Sequence, residues 1–486
     1  MSTARPENVP RSTNWKALAL IAALAASVVS VRFMLAARKP PGRPPDQVWN
    51  EMHDEAHRLM AGGQFLPAQK LASAAIPLAI QTFGSQHPTV AESFTTLAMV
   101  LHGQGKYAAA DEHYARALEM QIRLDGPRSR EAAVGAGNYA LNLLKQERFA
   151  EAKRLFDLAV AIEEQVAGPD HADTALALNN LAVMYDEMDD FEKARPLHER
   201  ALAIRIRALG PASKVTAAST QNLAASLRRG LEHGAVPAAD RDALLGRVRR
   251  LFRQALAVRE RLLGTDHLDV ATSLVGLSAA MRLSGDLDEA DRLGLQALAI
   301  RQERLGPRHV ATASALHNLA LIRQGQKLPG EARTYFAFAA QVRESILGPS
   351  HHQTLETLSD FVEFLLAEKD FAAAEDPCRK LIAGLRKAPL QKPADLRVAY
   401  DRLVVVLENT DRAKDTEVLR AEAEDAVAVA TRRAAEAETA AEARAVADRA
   451  AVEAHLARPQ PTARTGGMEL SRSGTIAPAD NDTQPE

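Results

Sequence analysis

The chain has 486 residues, room for several domains or one long array. Apolar residues make up 47% and aromatics only 4%, an alanine-rich mix that suits closely packed helices better than sheets. Its 60 basic and 62 acidic residues nearly cancel, which excludes the global basic field of a nucleic-acid binder, and the single Cys378 excludes an intramolecular disulfide framework.

Residues 1–16 form an N-terminal tail carrying Arg5, Arg11 and Lys16. Residues 17–37, "ALALIAALAASVVSVRFMLAA", hold one charge, Arg32. As a helix this stretch spans about 30 Å, enough to cross a bilayer, with Trp15 and Lys16 at one interface and Arg32 reaching the headgroups at the other. The expected element is a single-pass membrane anchor, and the expected place a bacterial inner membrane. A cleaved signal peptide is the rival reading, because the uninterrupted apolar core is short. Basic residues flank both ends, so the side of the membrane on which the rest of the chain lies stays open. Only Glu7 is acidic before Asp46, which also fits a mitochondrial presequence. Residues 38–45, with "PPGRPP", read as a stiff linker.

From residue 46 a repeat takes over. Glycine recurs at Gly84, Gly126, Gly168, Gly210, Gly264, Gly306 and Gly348, in steps of 42 except for one of 54. Each follows a helical pattern and several precede proline, the helix-stop signature of a glycine in the left-handed cap. Three small-residue columns keep the same step. One runs Ala56, Ala98, Ala140, Ala182, Ala224, Ser278, Ala320; a second includes Ala68, Ala110, Ala152 and Ala194; a third includes Ala75, Ala117, Ala159 and Ala201. Small residues at fixed helical positions let two axes cross closely. A bulky column, Phe65, Tyr107, Phe149, Phe191, Leu245, Leu287, Pro329 and Phe371, sits just after the expected turn. Each unit should therefore be a helix of about 14 residues, a turn, and a helix of about 18–20, stacking on its neighbours because neither helix buries its apolar face alone. Eight units run from Asp46 to about Lys387, and a degenerate ninth caps the array near residue 412. The 12 residues added in the step of 54, near 229–240, are expected as a longer loop between the helices of one unit.

These columns resemble tetratricopeptide repeats, and the 42-residue step, "LNNLA" and "ALAIR" resemble the kinesin-light-chain type. The resemblance covers about 340 residues and implies an all-α, right-handed superhelical solenoid. A membrane segment and a Pro-rich linker stand where kinesin light chains carry a heptad coiled coil. In that family the first helices line a concave groove, and asparagines of the "NNLA" motif bind the backbone of an extended peptide. Carried over, this implies a peptide-binding set of Asn138, Asn179, Asn180, Asn222 and Asn318, with Arg228 and Arg229 on the same wall. The competing reading is that these amides bond to neighbouring helices and fix inter-repeat packing.

No catalytic constellation stands out, and no cofactor, metal or small-molecule substrate is expected. His87, His171, His267, His309 and His351 each lie three residues after a repeat glycine and read as loop residues, too far apart to share an ion. His53 and His57 in "HDEAH" lack the glutamate of a zinc motif. Residues 413–458 are rich in Ala, Glu and Arg and read as a solvated helical tail, and 459–486 as disordered. The expected function is a membrane-anchored scaffold whose concave groove binds a protein or peptide segment. The alternatives are a self-assembling or complex-stabilising element that uses its outer helix faces, and a regulator without its output module.

Overall fold

The computed structural model describes residues 44–61, 64–388 and 393–456. The expected tail 1–16, the anchor 17–37 and the terminal 459–486 lie outside these residues. Among the described residues no helix is long and apolar enough to cross a membrane.

Helices follow one another in pairs. The first helices of the eight units are α1 (Pro45–Ala61), α3 (Pro88–Gly103), α5 (Arg130–Lys145), α7 (Ala172–Glu187), α9 (Lys214–Glu232), α11 (Leu268–Leu283), α13 (Val310–Gly325) and α15 (His352–Ala367). Their partners are α2 (Phe65–Phe83), α4 (Tyr107–Asp125), α6 (Phe149–Val166), α8 (Phe191–Leu209), α10 (Arg241–Leu263), α12 (Leu287–Leu305), α14 (Pro329–Leu347) and α16 (Phe371–Leu385). Helices α17 (Pro393–Glu408) and α18 (Thr416–Leu456) form a ninth pair. Most first helices span 16 residues, two more than expected, because the cap lies close behind the repeat glycine.

Packing follows the columns. Ala56, Ala98, Ala140, Ala182, Ala224 and Ala320 are fully buried where helices cross, and so are Ala68, Ala110, Ala152 and Ala194. The bulky column opens the second helices, and Phe65, Phe191 and Leu245 are buried there. Each helix packs on the next in sequence, and the first helices of successive units also touch one another. First helices therefore form the inner layer of the curve and second helices the outer.

Two turns recur. Between the helices of a unit the residue in the left-handed region is Gly105 or Gly285 in two units, but Glu147, Asp189, Lys327 and Lys369 in four others, with φ of 56–61°. The closing bonds run Gly105 N–H to His102 and Lys106 N–H to Leu101, the Schellman pattern. Between units the repeat glycine differs from expectation. Gly306 has φ 80° and ψ 170°, and its siblings cluster nearby; this is the mirror image of extended backbone, not the left-handed helical cap. That region is essentially closed to side-chain-bearing residues. Gly306→Ala should therefore cost about 1–3 kcal/mol although nothing lies near its absent Cβ, as urea denaturation would show.

The column of histidines has a definite role. His87, His171, His267, His309 and His351 are N-caps whose Nδ1 accepts the backbone N–H two residues on, at 3.0–3.3 Å. Ser129 and Ser213 do the same work in their units, reaching the N–H three residues on. The inserted residues are not all loop: three extend α9, four start α10 ahead of Leu245, and five lengthen the connection, which holds a short 3-10 turn at Ala238–Asp240. The expected solvated tail is helical, but its first part is not solvated. Leu419, Ala423, Ala426 and Ala430 recur at helical spacing and are buried in the cluster that α17 joins, as the second helix of a ninth unit would be.

Candidate binding groove

The array curls far enough that unit 8 meets units 3 and 4. His352 at the start of α15 lies with Nδ1 3.4 Å from Glu147 Oε1 and Nε2 3.3 Å from Glu187 Oε2, side chains of units 3 and 4. Contacts of this kind span a hollow lined by first helices. Glu356, one turn further along α15, lies in the same hollow. The surrounding protein would push its carboxyl up, but His317, Arg343, Arg229 and His352 outweigh that and bring it down to about 2. On α7 the residues Asn180, Val183 and Glu187 are spaced by three and four, so they share one stripe facing this hollow. Asn138 and Lys145 on α5, and Asn222 and Arg229 on α9, occupy the equivalent positions.

Asn138, Asn180, Asn222 and Asn318 hold one equivalent position on their first helices, with different roles. Asn222 is partly buried and donates from Nδ2 to Asn179 Oδ1 at 3.1 Å, joining units 4 and 5. Asn318 donates to Ser278 Oγ at 2.8 Å, joining units 6 and 7. Asn138 is buried. Two amide atoms remain: Asn179 Nδ2 and Asn180 Oδ1 are buried without a hydrogen-bond partner. Arg228 pairs with Glu232, and Arg229 with Asp189 at 3.0 Å while its guanidinium lies over the Phe191 ring. Burial would lower the pKa of Arg229, but Glu187, Asp186, Asp189 and Glu356 raise it, so it stays charged. Asp186 turns inward to His198 Nε2 at 2.8 Å and accepts from Ser226.

A ladder of buried arginines has no counterpart in the sequence reading. Arg205, Arg259, Arg301 and Arg343 hold one position near the end of successive second helices and are nearly inaccessible. Arg259 donates to the Asp269 carbonyl at 2.9 Å and to Ser273 Oγ at 3.0 Å. Arg301 reaches the Ala311 carbonyl and Arg343 the Gln353 carbonyl in the same way. Each thus ties its helix to the first turn of the next unit. The signal was present in "ALAIR", whose arginine keeps the repeat step. In the first three units the position holds Ala79, Gln121 and Glu163. Among the described residues, no group of three or more His, Cys, Asp or Glu is placed to hold a metal ion.

Stacked helix pairs around a polar hollow define an α-solenoid, a class of protein built to present an extended surface. The model of the tetratricopeptide repeat matches residues 55–123, 131–207, 249–303, 282–332 and 311–387, more than half the chain, and the chain belongs to that family. Several solved structures are similar. BtubC (BKLC) from P. vanneervenii is 20% identical over 53% of this chain and 92% of its own, with a TM-score of 0.39. A putative kinesin light chain from Podosopora anserina with nearly identical TPR-like repeats is 19% identical, covering 54% and 98%, with a TM-score of 0.28. The apo form of RapI is 12% identical, covering 76% and 99%, with a TM-score of 0.44. A comparison with curated proteins finds no match.

Proposed function

We propose that this chain is a membrane-anchored scaffold whose inner wall holds an extended protein or peptide segment, with residues 17–37 as the anchor. The observation that carries this reading is the pair of amides at Asn179 and Asn180. A buried amide atom without a partner costs about 1–3 kcal/mol, and here a donor and an acceptor lie on adjacent residues. An extended backbone offers an acceptor and a donor in turn, whatever its side chains. Asn222 and Asn318 serve the complementary purpose of holding successive units in register.

The two roles separate by mutation. Asn180→Ala removes an acceptor that has no partner, so it should leave thermal stability within about 0.5 kcal/mol of wild type while weakening capture of the bound segment. Asn222→Ala, by contrast, strips Asn179 of its bond and should lower the melting temperature. A photo-crosslinking residue placed at Val183 in intact cells would measure capture. Equal crosslinked yield from wild type and Asn180→Ala would reject the groove. Retention of the chain in the membrane pellet after alkaline carbonate extraction, and its release when residues 1–37 are deleted, would support the anchor.

A further inference from the structure

We infer that His352 is a proton-operated clasp that holds unit 8 against units 3 and 4 and sets how far the hollow is open. Stacking alone does not call for this contact, because a unit of a solenoid packs on its immediate neighbours. Glu147 stands 205 residues before His352, in the turn that follows α5, and Glu187 is the last residue of α7. A second contact crosses between the same parts of the array, where α18 of the ninth unit touches α6 of unit 3. The imidazole itself departs from the repeat. In units 2–7 the residue four after the repeat glycine is Pro88, Arg130, Ala172, Lys214, Leu268 or Val310.

The geometry requires a proton that a neutral ring lacks. Both ring nitrogens face carboxylate oxygens, Nδ1 at 3.4 Å from Glu147 Oε1 and Nε2 at 3.3 Å from Glu187 Oε2. A neutral imidazole has one N–H and one lone pair, so it satisfies one carboxylate and turns its lone pair on the other. An imidazolium donates to both, and the bridge therefore holds one proton more than the separated groups. Histidine is the side chain that changes charge near neutral pH, and this one is about half exposed, so protons reach it. The surrounding charges divide. Glu147, Glu187 and Glu356 favour the added proton, whereas Lys145, Arg229, Arg343, His317 and the positive N-terminus of α15 oppose it. Arg229 and His317 already face Asp189 and Asp360, and His351 is occupied as the cap that accepts the Gln353 N–H. Glu147 and Glu187 touch the ring, and a charge acts most strongly at contact, so these two decide the balance. Without the proton the contact loses one bond and gains a repulsion. The superhelix then opens by small rotations spread over the junctions between units 4 and 8.

The test reads the seam directly and needs no bound segment, so the clasp is judged apart from the groove. It uses the full-length protein in detergent micelles. Cysteines introduced as Ala150→Cys on α6 and Ile346→Cys on α14, both exposed positions, carry nitroxide spin labels. The buried Cys378, its thiol pushed up to about 12 by burial, stays unlabelled at neutral pH. Double electron–electron resonance should give a short distance at about pH 5.5 and a longer one at about pH 8.5, with the closed-to-open ratio falling about fivefold or more. His352→Gln should show the longer distance at both pH values. His352→Arg, a cation that is not discharged, should show the shorter one at both. His351→Ser should keep the response, which separates the clasp from the neighbouring ring. A wild-type distribution that is the same at both pH values overturns the proposal, and so does a response that persists in His352→Gln or is lost in His351→Ser.

Discussion

Arg259→Ala is expected to destabilise the array by about 3 kcal/mol or more, the largest effect of any single substitution considered for this chain. Two costs combine. The guanidinium donates to the Asp269 carbonyl and to Ser273 Oγ, both at the start of unit 6, and its loss leaves these groups buried without that donor. The side chain is also almost entirely enclosed, so truncation opens a cavity between α10 and α11. Stability in a solenoid is a sum over units and their interfaces, so the damage should be local. Urea denaturation followed by circular dichroism should lose its single transition and show two, as the units on either side of the break unfold apart. Arg259→Met keeps most of the volume and should recover part of the loss. A single transition at the wild-type midpoint for Arg259→Ala would mean that the ladder is not what couples the units.

Acid should destabilise the fold over the range from about pH 6.5 down to about 3. Burial, followed by the nearby charges of His352, Lys145 and Arg343, lowers the pKa of His351 to about 3. Burial lowers that of His102 to about 4, against the opposing hydrogen bond that its Nδ1 donates to Asn142 Oδ1 and with a further push from Lys145. Both rings are neutral when folded at pH 6 and gain a proton more readily when unfolded. The unfolded state therefore binds more protons in this window, and stability rises with pH. The contribution is complete above the unfolded value of about 6.5 and is lost as pH falls toward the folded values. Together the two rings account for about 3 kcal/mol, after allowance for their incomplete burial. Melting temperature against pH would show the slope. His351→Ser provides the control, because Ser129 and Ser213 cap equivalent helices without titrating. That variant should keep its stability at pH 7 and flatten the profile below it. A profile as steep as that of wild type would place the acid sensitivity elsewhere.

The inner wall was legible only in part. The asparagines on it kept a visible step, since a periodic polar residue inside a helix has to face either a neighbour or the hollow. Which of the two each one faces depends on what stands one unit away. Asn222 has Asn179 opposite it and packs, whereas Asn180 has Gly137 opposite it and retains an unpaired oxygen. The arginines at the far ends of the groove motif illustrate the same limit. Arg228 and Arg229 read as a basic patch, but Glu232 and Asp189 neutralise them at close range.

Period alone determined that this chain is a stack of helix pairs. A step of 42 in glycine, alanine and aromatic positions forces each unit to bury its apolar face on the next, and no other arrangement uses those positions consistently. Tertiary structure decided everything that depends on residues from different units meeting. The buried arginine ladder and the meeting of His352 with Glu147 and Glu187 across the hollow belong there. The physical reason is range. Helix-forming and crossing preferences act within a few turns of chain, whereas the fate of a polar side chain is set by partners brought near only when the curve closes.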